Sequence, residues 1–172
     1  MFGFGRRSSL PDEAIEFAGF VLAHCAAIAD SNRAGELICP FAVLRKRGHQ
    51  EVADFESTTQ AEAVEKGWRS LPEAKSKKVS WALGREGIYR NGESAQDVFT
   101  VSVWLPTMQE HVSVLQRFKR GPEQELLLQG NPELLVHAAE TATEVEVWNR
   151  SALSRGIESH PQGLRWAEWL VQ

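Results

Sequence analysis

Apolar positions recur along the chain in two different periods, and the places where the period changes divide it into elements. Ile15, Ala18, Val21, Leu22, Cys25 and Ile28 follow one another at three- and four-residue steps, the spacing that lines one face of a helix. Ahead of them Ser9 offers a capping hydroxyl, Pro11 suits the first helical position, and Asp12 and Glu13 put acids in the first turn. Gly35 can take the left-handed conformation that ends a helix. The pattern predicts a helix over 11–33, preceded by a flexible Gly-rich basic segment at 1–8.

Residues 37–44 are almost continuously apolar, and Arg45-Lys46-Arg47-Gly48 separates them from a second short run at 50–55, which reads as a hairpin. Ser57 with Gln60 three residues on has the form of a capping box. Ala61, Val64, Trp68 and Leu71 then mark a second helix, which Pro72 is expected to close. The period returns to two at Val79, Trp81 and Leu83, and Asn91-Gly92 supplies a tight turn. Residues 98–105 and 111–118 continue as strands, giving a three-stranded antiparallel meander. Gly121-Pro122 and Asn131-Pro132 punctuate the stretch beyond, and the pattern at 122–138 selects no conformation. Ala142, Val145, Trp148, Ala152 and Leu153 share a helical face, as do Leu164, Trp166, Trp169 and Leu170 after His160-Pro161. The chain is therefore expected to be one α+β domain over 1–172. It should have an antiparallel sheet of about five strands, with an N-terminal helix, a middle helix and C-terminal helices packed on it.

The pleat of the meander has a consequence for function. If Phe99, Val101, Val103 and Leu105 face one way, Val98, Thr100, Ser102 and Trp104 face the other, together with His111, Ser113, Leu115, Arg117 and Lys119 of the next strand. Burial of Trp104 and Leu115 is worth roughly 1.5–3 kcal/mol each, so a cover is expected. The expected cover is the set of C-terminal helices with Trp148, Trp166 and Trp169; the alternative is a second copy of the chain in a twofold homodimer, or another protein partner.

Composition narrows the remaining classes. Hydrophobic residues make up 42% and charged residues 24%, which fits a globular core and argues against disorder. With 19 basic against 23 acidic residues, no broad cationic surface for nucleic acid is expected. The acids at 12, 13 and 16 break the apolar stretch that an export signal needs, and no run of spanning length is read, so a membrane role is not expected. Two cysteines, Cys25 and Cys39, fit a reducing cytoplasm better than a disulfide framework.

The search for chemistry finds no assembled motif. His24, His49, His111, His137 and His160 are scattered without metal-ligand spacing, so no metal and no cofactor are expected. There is no nucleophile elbow and no phosphate-cradling loop; Gly84 and Gly87 read as a strand bulge. Arg45–Arg47, Lys75–Lys78 and Arg117–Arg120 are basic clusters, read as solvated tips and linkers unless the fold joins two of them. Asn149-Arg150-Ser151 has the form of a glycosylation acceptor but lacks a secretion signal to give it meaning. What remains is a non-catalytic binding or regulatory protein, with Trp104, His111 and Arg117 as contact residues on one sheet face. The competing reading is a small enzyme whose site is assembled from Arg85, Glu86, Tyr89 and His111.

Overall fold

A computed structural model describes residues 10–32, 35–138, 141–144 and 148–170. The segment 1–8 lies outside them, as do Ser9 and Val145. Helix α1 (Asp12–Ser31) leads into strands β1 (Phe41–Lys46) and β2 (His49–Asp54), then helix α2 (Gln60–Lys77). Strands β3 (Ser80–Asn91), β4 (Ser94–Trp104), β5 (Val112–Arg120), β6 (Leu126–Ala138) and β7 (Thr141–Glu144) follow. Helix α3 (Arg150–Ser159), a 3-10 turn (Gly163–Arg165) and a one-turn helix α4 (Trp166–Trp169) end the chain.

The sheet is antiparallel throughout, in the order β2-β1-β3-β4-β5-β6-β7. Six of its strands have six residues or more and the seventh is a four-residue edge, against the five or so expected from the sequence. The difference lies in β6 and β7. Gly130 at φ 66° and a register shift between Leu115 and Arg117 accommodate an irregularity in the β5–β6 ladder. Pro132, which cannot donate to a ladder, sits beside that irregularity and not in a regular one. Gln116 fills the gap: it is fully buried, and its Nε2 donates to the carbonyls of Arg117, Gln129 and Gly130. Asn131-Pro132 therefore marks a kink inside a strand, where the sequence reads as a break.

Residues 141–144, expected to open a helix, pair instead with β6. Helix α3 starts only where Asn149 caps it, its Oδ1 accepting from the amides of Ser151 and Ala152. Asn149 Nδ2 also donates to Asp12, so the residue in the acceptor-like tripeptide ties α3 to α1. Helix α2 is capped two residues later than expected: Thr59 Oγ1 accepts from Glu62 N at 3.2 Å, while Ser57 and Thr58 donate to the Glu62 carboxylate. Pro72 does not end this helix, which runs on to a left-handed Lys78. Only the hydrogen bond that residue 72 would give to the Trp68 carbonyl is forgone, and Leu71 and Ala74 on either side are held in the core.

Two layers of helix cover the two faces. On one, Phe41, Val43, Ala82, Phe99, Val101 and Phe118 pack against α1, and α3 packs against α1 in turn. On the other, α2 lies over Ala42, Trp81, Leu83 and Trp104. Gly67 lets α2 approach closely, since a Cβ there would come within 2.6 Å of Leu83 Cδ1. Gly84 does the equivalent on the first face by leaving room for the Phe41 ring. The β3–β4 register is continuous through Gly84 and Gly87, so the bulge expected there does not form.

The C-terminal helices thus lie with the α1 face and not over Trp104, as the sequence had led one to expect. Trp169 joins the α1 core, and it is α2 that covers Trp104. The apolar run of α1 is longer than the sequence pattern suggests. Helix α1 is long and apolar enough, by length and composition, to cross a membrane, because Ala-rich turns separate its terminal acids. In this fold that all-round apolarity is used between the sheet and α3.

Candidate functional site

The face under α2 is a set of cross-strand rows fixed by register. Trp81 lies opposite Trp104, and Leu83 opposite Ser102, which is opposite Ser113. Arg85 lies opposite Thr100 and then Leu115, while Gly87 is opposite Val98 and then Arg117. Helix α2 is laid over the first rows only. Its Trp68 ring packs at a tilt on Trp81 at 5.4 Å and on His111 at 4.9 Å, and lies 5.2 Å from the Arg85 guanidinium. Beyond Trp68 the later rows form a cleft.

Arg85 stands where two cavities of that cleft meet. One, of about 300 Å³, is walled by Tyr89, Val98, Thr100, Leu115 and Leu135; the other, of about 590 Å³, runs beneath the start of α2 along Leu37, Ala61, Val64 and Ile88. Both include Arg85, Gly87 and Ile88. At Gly87 an added Cβ would meet nothing within 4 Å, so this residue leaves the floor between them open.

Arg85 Nη1 donates to Ser102 Oγ at 3.2 Å, and Ser102 shares a 2.8 Å hydrogen bond with Ser113. Both hydroxyls are buried. Among the described residues no carboxylate ion-pairs with Arg85, although burial of a guanidinium without a counter-charge is costly. That burial brings its pKa down to about 10, which leaves it charged at neutral pH.

The contact residues expected from the sequence are placed unequally. Trp104 is 5% exposed, its Nε1 donating to the Met108 carbonyl and Lys75 lying over its ring, so it is packing beneath α2. Leu115 is 6% exposed, so neither needs a second chain to leave water. His111 reaches the cleft through Trp68. Arg117 is engaged on two sides, bonded in a fork to Glu133 and stacked on Tyr89 at 5.4 Å.

Of the four residues in the enzyme reading, Arg85 and His111 meet at Trp68 and Tyr89 walls the smaller cavity. Glu86 leaves β3 on the opposite face of the pleat, as Ile88 does, and meets the larger cavity where that cavity passes the β3 edge beyond β1. Its carboxylate accepts from the Ile38 amide, and burial raises its pKa. The sequence reading placed Thr100, Ser102 and Ser113 on this face without nominating them for the site, and it did not bring Trp68 of α2 to Arg85. Their signal was present as a polar track at alternate positions of β-branched strands, but it spanned three strands whose register was unknown.

Elsewhere, no group of three or more metal-ligating side chains occurs among the described residues. Cys25 is buried, which pushes its thiol far up. The basic hairpin tip does meet the end of α2, where Lys46 Nζ donates to the Lys77 carbonyl at 3.3 Å. Arg45 is spent on the rings of Phe17 and Phe20, and Glu73 pairs with Lys77, so this junction is not a free cationic patch. Comparison with known proteins finds no matching family model, no matching curated protein and no matching solved structure.

Proposed function

We propose that the chain is a non-catalytic binding protein whose ligand is a small molecule seated in the cleft between α2 and the sheet. One observation carries this reading: a half-buried arginine with no ion pair among the described residues sits at the junction of two cavities, with a glycine leaving the floor open. Small-molecule sites are concave, mostly apolar and furnished with few polar groups, and this cleft has that make-up. A protein-docking role through Trp104 is less well supported, since Trp104 is already beneath α2. The compartment that suits this protein is the cytoplasm, where its two free cysteines stay reduced.

Gly87→Leu tests the reading. The new side chain enters open space in a strand, so the fold is retained while the shared floor is filled. Saturation-transfer NMR with a mixture of neutral, cationic and anionic fragments is expected to give binders to the parent that lose signal with Gly87→Leu. Fragments that bind both proteins alike would exclude the cleft.

A further inference from the structure

We infer that the ligand is a monocarboxylate on an apolar body, its carboxylate taken by Arg85 and its body lying along Val64 and Ile88; this rests on the cleft being the binding site. The argument begins with donors. A guanidinium carries five N–H groups, and Arg85 commits Nη1 to Ser102 and one face to the Trp68 ring. Its other nitrogens are absent from the fully enclosed, unpaired atoms of the described residues, and the side chain lines both cavities. They are therefore presented to the cleft space. A planar fork of donors matches a carboxylate edge in two parallel bonds.

Charge fixes the number of negative charges that the site accepts. Arg117 is already neutralised by Glu133, and the acids Glu86 and Asp97 line the larger cavity. Those two acids repel any anion, and a phosphate dianion more strongly than a monoanion, so the single cation Arg85, which has no ion pair among the described residues, suits a monocarboxylate better than a phosphate. Although the larger cavity runs beneath the start of α2, the Glu62 amide there is already taken by Thr59 Oγ1, and the first-turn carboxylate of Glu62, which accepts from Ser57 and Thr58, opposes a second anion.

Apolar surface fixes the body. Ile88 is 59% exposed and Leu37 53% exposed, two of the most exposed large apolar side chains described, and both line the larger cavity with Ala61 and Val64. A short hydrocarbon laid there around the β3 edge covers them, with its carboxylate at Arg85 on the same cavity. The Trp68 ring and the bond to Ser102 hold the guanidinium on two sides before any ligand arrives, which reduces the side-chain freedom lost on binding.

The test compares octanoate with 1-octanol, which share a chain and differ in charge, by calorimetry on the parent protein, Arg85→Met, Arg85→Lys and Gly87→Leu, with inorganic phosphate as a third probe. Octanoate is expected to bind the parent at least tenfold more tightly than octanol. Arg85→Met, which keeps the stem, removes that preference while octanol binding persists, and Arg85→Lys retains part of it. Phosphate alone should not bind measurably. Equal affinity for octanoate and octanol in the parent overturns the carboxylate inference and leaves the cleft in place, provided Gly87→Leu blocks both. Phosphate binding as tight as octanoate also overturns it. If neither chain binds the parent, the cleft reading itself fails. The parent comparison stands even if a variant at Arg85 does not fold.

Discussion

His24 and His160 share a 3.0 Å hydrogen bond across 136 positions of sequence, and the atoms involved fix where its proton lies. The Gln162 amide donates to His160 Nδ1, so His160 carries hydrogen on Nε2 and gives it to His24 Nδ1. Phe20 and Phe41 pack on the two rings, and Asp54 is a distant counter-charge to His24. Burial lowers both pKa values, that of His160 to about 4, with His24 as a second cause. Above the ordinary value of 6.5 both rings are neutral whether folded or not. Below it the unfolded chain takes protons that the folded one refuses, so the pair's contribution is complete above pH 6.5 and drains as pH falls toward 4. The urea midpoint is expected to fall between pH 6.5 and pH 5, ahead of ordinary carboxylate titration, and to fall less in His160→Gln. A parent midpoint that is flat over that range would show that the rings are charged or exposed. In the sequence these histidines are isolated residues without metal spacing; their pairing arises only when α3 is laid on α1.

The α1–α3 crossing is the element on which that pairing depends. Gly19 and Gly156 face each other's helix: a Cβ at Gly19 would meet the Leu153 carbonyl oxygen, and one at Gly156 the Glu16 carbonyl oxygen. Arg155 bonds to Glu16 at 2.7 Å and Arg165 to Asp30 at 2.6 Å along the same seam. Propensity alone says that Gly→Ala inside a helix stabilises by up to about 1 kcal/mol. Close backbone contact reverses the sign, with overpacking costs of roughly 1–3 kcal/mol. Gly156→Ala and Gly19→Ala should each lower the urea midpoint, and a rise in either would mean that the helices do not touch there. From sequence, Gly19 and Gly156 are only weak points in helices, since the partner that makes them necessary is far along the chain. The start of α2 was more legible, to within two residues, because a cap and the first turn it closes are neighbours in sequence: Ser57 was expected and Thr59 is the cap.

Across the whole molecule, protection should follow the sheet order. Strands β3, β4 and β5 sit between other strands under helices on at least one face, whereas β2 is an edge with exposed side chains over nearly its whole length. Hydrogen exchange is expected to be slowest in β4 and fast in β2, where local opening suffices; uniform exchange across the sheet would contradict a core centred on α1. The α+β class, the α1 helix, both hairpins and the meander followed from the sequence alone, because apolar period and turn residues act over a few positions. So did the two apolar faces of β4. Which helix covers which face, the strand at 126–138 and the meeting of Arg85 with Trp68 and Ser102 were decided by tertiary structure. Each depends on register and on contacts between residues distant in the chain, and local pattern carries no information about the partner that completes them.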